Sequence, residues 1–400
     1  MLLALVSVPM LLLAGSYPGE IDSTRVYAMD PIVVTGTRIA TLRSEIPQIV
    51  SVLGREEIAS SGESNVLPAL GERIPGLFVT ERGVTGFGVA GGAAGGISIR
   101  GVGGSPNTQV LVLIDGHPQF MGIFGHPLPD AYVASDIERV EVIRGPASAL
   151  YGTGAMGGAI NLITRGATAE GLGFDGRMSL GSYGTQKYSG GLGYRRESFS
   201  ILGSLNHDRT DGHRGNDEFE ITNGYAKAGY DLRPGLRVVA QGSLAAFETN
   251  DPGPASSPYP DSTVHWVDIQ RGEASLSVVN AASRINGEVK LFGNFGEHEI
   301  YDGFHSTDSN LGVMVFQGLR LLPNNTVTVG LDYKHYGGEA ENTLSATQIG
   351  DHTVDEIGGY ASIHHSFPKR LALNAGIRFE HHTEFGTETV PQAGIALHPT

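Results

Sequence analysis

The 400-residue chain has no cysteine, which excludes disulfide scaffolds, thiolate metal sites and cysteine nucleophiles. It is also poor in charge, at 17%, and poorest in positive charge: 27 Lys and Arg against 42 Asp and Glu leave a net −15. A nucleic-acid binder needs a basic face to displace counterions from phosphates, so that class is excluded. Beyond the first residues no segment reaches ~18 consecutive apolar residues, which excludes a helical inner-membrane protein. No Ser/His/Asp or paired-carboxylate arrangement stands out either, so nothing points to an enzyme. What is abundant is glycine, 58 of 400, about twice its usual ~7% share. The glycines have no three-residue period and 8% of the chain is aromatic, which excludes collagen and simple disorder. A polar, uncharged, glycine-rich chain of this kind reads as β.

Leu2 to Ala14 is an apolar run of signal-peptide length, followed by the small residues Gly15 and Ser16 and too short to span a bilayer as a helix. It is expected to be a secretion signal ending near residue 16. The usual Lys or Arg before the run is missing, and a buried helix is the alternative. Export without a helical anchor leaves periplasm, outer membrane or medium. The segment 17–43 then carries one β-prone stretch around Ile32, Val33, Val34 and Thr35. It reads either as a first strand or as a free strand that a second protein pairs with by β-augmentation.

Residues 44–166 read as a small α+β domain. Ile46 to Val52, Leu77 to Thr80, Gly96 to Arg100, Val110 to Ile114 and Arg139 to Ile143 are strand candidates, and Gly54 to Ser61 and Asn65 to Arg73 are short helices. Gly152, Gly154 and Gly157 satisfy GxGxxG. A dinucleotide fingerprint, however, needs a strand entering the glycines and a helix leaving them, so that pyrophosphate meets the helix N-terminus. Here Pro146 precedes them and the strand-like Ala159 to Thr164 follows.

The same stretch, Ile137 to Gly166 (IERVEVIRGPASALYGTGAMGGAINLITRG), joins Ile114, Asp115 and Gly116, the SIRG of Ser98 to Gly101, and the IVVTGTR beginning at Ile32. Together, in this order, they resemble the plug domain of TonB-dependent outer-membrane receptors. The resemblance implies that Ile32, Val33, Val34 and Thr35 are the TonB box, and it implies the bacterial outer membrane as location.

From residue 167 to 400 the chain becomes a series of alternating segments, as transmembrane β-strands do. Leu371, Leu373, Ala375, Ile377 and Phe379 share one face, opposite Ala372, Asn374, Gly376, Arg378 and Glu380; Val327, Val329, Leu331 and Tyr333 oppose Thr326, Thr328, Gly330, Asp332 and Lys334. About twelve strands are expected. Short turns fall at Arg196 to Ser198, Arg233 to Gly235, Asn280 to Ala281, Pro323 to Asn325 and Pro368 to Arg370. Long polar loops fall at Asp208 to Glu218, Asn250 to Asp261, Glu299 to Asn310 and Gly337 to His352. Plugged transporter barrels have about twenty-two strands. The expected fold is therefore a small α+β plug domain followed by an incomplete antiparallel transmembrane β-barrel, with a self-closing twelve-strand barrel as the alternative.

The resemblance places substrate on the apical plug loops, here Glu81 to Gly95, with Phe87, and His117 to Pro127. In the second loop His117, Gln119, Phe120, Met121, Phe124 and His126 offer imidazole, thioether and aromatic groups that suit a metal chelate; packing inside the plug is the bland alternative. Asp208, Asp211, Asn216, Asp217 and Glu218 supply oxygen ligands that could take Ca²⁺, or simply a solvated or lipopolysaccharide-bridged loop. No cofactor is expected to be required, Ca²⁺ in that external loop being the one candidate. The resemblance implies a non-enzymatic, TonB-dependent importer of a scarce metal chelate or cofactor: ferric siderophore, haem or cobalamin. Its partners would be TonB, that substrate, and outer-membrane lipid with lipopolysaccharide, without nucleic acid. A passive porin or adhesin, or a non-functional receptor fragment, is the alternative.

Overall fold

The structure, a computed structural model, describes residues 30–81, 89–90, 93–260, 262–367 and 371–397. The expected signal segment, Phe87 and the turn Pro368 to Arg370 lie outside the described residues. Among the described residues no helix is long and apolar enough to cross a membrane.

The first domain is built on a five-stranded sheet of β1 (Val50–Gly54), β2 (Val110–Ile114), β3 (His117–Pro118), β4 (Ile137–Arg144) and β5 (Gly158–Thr164), in the order β3-β2-β5-β4-β1. β5 and β2 run parallel and the other pairs antiparallel. Every residue of β2 is buried, because both faces of the sheet are covered. Val110, Val112 and Ile114 pack with Leu67 and Leu70 of helix α2 (Val66–Arg73) and with Ile58 of α1 (Arg55–Ser61). Leu111 and Leu113 face the other way, toward Val33, Val50 and Leu150. Local chemistry sets the helix ends. The Gly54 N–H donates to Glu57 Oε2 (2.9 Å) at the start of α1, Gly62 at φ +78° ends it, and the Asn65 side chain accepts from Leu67 N (2.9 Å) to cap α2. β2 and β3 are joined by Asp115 and Gly116 at φ +44° and +84°, the two-residue hairpin turn in which both centres need positive φ. The GxGxxG glycines connect helix α3 (Ser148–Tyr151) to β5, so a strand follows them and not a helix.

Twelve antiparallel strands follow, each paired with its sequence neighbour: β6 (Gly171–Leu180), β7 (Gln186–Arg196), β8 (Phe199–Thr210), β9 (Phe219–Arg233), β10 (Leu236–Asn250), β11 (Trp266–Ala281), β12 (Ile285–Ile300), β13 (Phe304–Leu319), β14 (Asn325–Asn342), β15 (Thr347–Phe367), β16 (Leu371–His382) and β17 (Gly386–Leu397). β6 and β17 are the edges, and neither pairs with the other. The expected alternation holds. Val329, Leu331, Tyr333, Ile377 and Phe379 are exposed on the outer face, while Thr328, Asp332, Lys334, Asn374, Arg378 and Glu380 are buried inside. Apolar side chains out and polar ones in is the pattern of a sheet between lipid and a wet lumen.

Two of the expected long loops are strand. The Glu299 to Asn310 segment turns at 301–303 with register kept on both sides, and the Gly337 to His352 segment turns at 343–346 with one register shift between Ala340 and Glu341. Loss of side-chain alternation does not break backbone pairing. Loops at 211–218 and 251–265 remain long, while the opposite end carries turns at 197–198, 234–235, 282–284 and 320–324.

Candidate functional site

The segment Ile32 to Thr35 is not a free strand. Ile32 and Val33 pair with Leu42 and Thr41, Ile32 is 59% exposed, and Val33 and Thr35 are fully buried. The carboxylate of Glu141, itself buried on β4, accepts at Oε2 from Val34 N (2.9 Å), Thr35 N (2.8 Å) and Thr35 Oγ1 (2.7 Å), while its Oε1 accepts from Arg139 Nε (2.9 Å). Tyr151 Oη donates to the Thr35 carbonyl (2.9 Å) and Asn161 Nδ2 to Thr35 Oγ1 (3.0 Å). Burial pushes the Tyr151 phenol up, so it stays a donor. The expected free strand is corrected to a docked one: a carboxylate on the sheet satisfies the backbone N–H groups that a partner strand would otherwise take.

Beside it, the Asp115–Gly116 turn is gripped from three directions. Lys227 of β9 binds Asp115 Oδ2 (2.9 Å), Lys290 of β12 donates to the Asp115 carbonyl, and Arg38 Nη1 donates to the Gly116 carbonyl (3.1 Å). Arg38 also lies 3.9 Å over the Tyr151 ring. Burial would raise the Asp115 carboxyl, but Lys227 and Lys290, with the Thr164 hydroxyl, outweigh it and hold it down at about 2.

The second plug loop packs against strands instead of lining an open mouth. His117 is fully buried, stacked on Phe292, with Nε2 3.2 Å from Glu273 and 2.8 Å from Gln119 Nε2, which also donates to Asn294 Oδ1 (3.1 Å). Phe120 meets Tyr336 edge-on and Met121 is buried. Gly122 N–H donates to Asp308 Oδ1 (2.7 Å), whose other oxygen binds Arg271 (2.5 Å). His126 is buried, which lowers its pKa and leaves it neutral. Of the six loop candidates only Phe124 is substantially exposed, at 39%, near Phe304. Five of the six expected chelate residues are thus packed against the wall in this structure, the arrangement of the packing alternative.

The five Ca²⁺ candidates do not converge. Asp211 pairs with Arg209 (3.1 Å), Asn216 Nδ2 reaches the Thr263 carbonyl (3.4 Å), buried Asp217 faces His213 (3.3 Å), Glu218 accepts from Asn250 (2.8 Å), and Asp208 sits in β8 beside Lys187 and Ser64. Neighbours in sequence that alternate across strand ends and a loop point apart. Two groups the sequence did not single out do come together among the described residues: Glu297, Glu299 and His305 on the outside of a long hairpin, and Asp332, Glu356 and Glu380 in the lumen. The carboxylates of the second are already engaged by cations, Arg378 binding Asp332 (2.8 Å) and Glu380 (2.7 Å) and Lys334 binding Glu356. Glu141, Asp115, Lys227 and Lys290 were also missed. The signal in three of them is a charge between apolar sequence neighbours, as Glu141 between Val140 and Val142, Lys227 between Ala226 and Ala228, and Lys290 between Val289 and Leu291.

A family profile, the TonB-dependent Receptor Plug Domain, matches residues 43–159. The iron-regulated outer membrane virulence protein of Vibrio cholerae is 25% identical over 395 residues, covering 91% of this chain and 56% of the relative. The chain thus spans a little over half the length of the curated relatives it matches. Among solved structures, the siderophore receptor PirA from Pseudomonas aeruginosa superposes at TM-score 0.68 with 19% identity, covering 86% of this chain and 58% of that one. A FpvAI–pyocin S2 complex gives 0.71 at 14% identity, covering 91% and 56%. With the plug motifs and the five-stranded plug sheet, residues 43–159 are a TonB-dependent receptor plug domain, and the chain with its twelve-stranded wall shares the fold of these solved receptors.

Proposed function

We propose that the chain carries the plug and barrel wall of a receptor that imports a ferric chelate of the siderophore class across the bacterial outer membrane, energised by TonB pairing with Ile32 to Thr35. The observation that carries this reading is the docking of that segment on Glu141. A short, exposed-edged strand is held by a handful of polar bonds at the end of the wall that carries the tight turns, where a periplasmic protein reaches it. The similarity to an iron-regulated outer membrane protein and to siderophore receptors favours a ferric siderophore over haem or cobalamin. No chemical step is assigned. Phe124 and Phe304 offer aromatic surface at the long-loop end, where an arriving chelate first meets the plug.

The test is uptake of radiolabelled ferric siderophores by a receptor-deficient host expressing the gene, with and without residues 32–35. Import that disappears with the deletion supports the proposal. Import that persists would make the protein a passive porin, and no import by either form would leave an adhesin or inactive receptor.

A further inference from the structure

A cavity of about 730 Å³ lies between the plug and the wall at the tight-turn end, bounded by Arg38, the Asp115–Gly116 turn and the turn residues Asn280 to Ser283. Its charge is opposite to that of the chain. Arg38, Arg139, Lys227, Lys290 and Arg320 line it, against only Asp115 and Glu288, although acidic residues outnumber basic ones 42 to 27 overall. Both carboxylates are already taken by lysines, Asp115 by Lys227 (2.9 Å) and Glu288 by Lys290 (3.2 Å). Arg38 and Arg320 spend their hydrogen bonds on carbonyls: Gly116 (3.1 Å) and Leu150 (3.2 Å) for the first, Ser283 (3.2 Å) for the second. Gln241, Ser277 and Asn286 add neutral polar groups to the wall. A cavity of ligand size with surplus cations and polar walls suits an anion.

We propose that this vestibule is a binding site for a carboxylate-bearing anion, held by Lys227 and Lys290, with Asp115 as its resting substitute on the plug. The inference rests on the transport reading and narrows it to anionic chelates that pass the plug on this side. Exchange of the Asp115 carboxylate for that of a ligand keeps the Lys227 ammonium paired, while Lys290 stays beside Glu288 (3.2 Å). Lysine suits such an exchange, being a point charge on a flexible stem. Asp115 is ionised at every physiological pH, so the site stays closed until the turn moves.

Metal-free citrate is the probe, titrated calorimetrically into the purified full chain at low and high salt. Wild type should bind it weakly and lose it with salt. Asp115→Asn, which removes the competing carboxylate, should tighten binding about tenfold, and Lys227→Gln/Lys290→Gln should abolish it. Citrate affinity that is the same in wild type and in the lysine double variant would overturn the site, as would looser binding by a folded Asp115→Asn protein. If Asp115→Asn does not fold, the lysine pair alone decides. Citrate binding lost in these titrations while uptake still depends on residues 32–35 removes only the vestibule; the reverse result removes the transport reading and leaves the vestibule standing.

Discussion

Replacing Glu141 by Gln should loosen the N-terminal segment while leaving the plug folded. In the native protein one carboxylate oxygen takes three donors from residues 34 and 35 and the other takes Arg139. An amide matches only one side. With its oxygen toward the segment, its NH₂ meets Arg139 donor to donor; turned round, it loses all three bonds to the segment. Either way at least one charge-assisted hydrogen bond goes, at ~1.5–3 kcal/mol, so about 2 kcal/mol and about a 30-fold rise in segment opening. Hydrogen exchange at the Val34 and Thr35 amides reads this directly, and Val112 and Ile160 in the central sheet serve as controls. Because the chain has no cysteine, Ile32→Cys provides a unique, exposed labelling position for an independent mobility measurement. Apparent affinity for the TonB C-terminal domain should rise by up to the same factor, since only the undocked fraction is competent to pair. Exchange at Val34 and Thr35 that stays unchanged, or that rises only in step with Val112, would refute the reasoning: burial of Val33 and not the Glu141 clasp would then be what holds the segment.

Asp115 gives a pH signature. Its folded pKa lies below the ordinary 3.8, at about 2, so its contribution of about 2 kcal/mol is complete above pH 4 and fades as pH falls toward 2. Urea unfolding of the plug followed across that window should show the loss, and Asp115→Asn should be weaker at pH 7 and flat across the window. Arg378→Met strands Asp332 and Glu380 inside the wall and should cost about 3–5 kcal/mol, read as a lower urea midpoint for the heat-modifiable form on gels; adding Asp332→Asn should recover part of it. At Gly122 a Cβ would strike the backbone of Ser309 and Gly337, so Gly122→Ala should cost about 1–3 kcal/mol and raise protease cleavage in the 117–128 loop.

Much of the architecture was legible in the residues themselves. A two-residue period is a local property, and it placed Leu331 and Phe379 outside and Asp332 and Arg378 inside before any strand was paired. Motif order identified the plug. Strand length was not legible around the turns at 301–303 and 343–346, because pairing there is held by backbone bonds that leave no mark on side-chain pattern.

The site depended on distance through space. Glu141 and Thr35 are 106 residues apart, Lys227 and Asp115 112, and Gln119 and Asn294 175. Whether a polar side chain on an inward face meets a ligand, a neighbour or the plug is decided by what the sheet brings opposite it. The sequence alone determined the plug, the wall and the composition of the lumen. The tertiary structure decided that the N-terminal strand is docked, that His117 and Met121 are packing, that the acidic loop residues are dispersed, and that three cations converge on one turn, because each of those outcomes is a pairing between segments with no local signature.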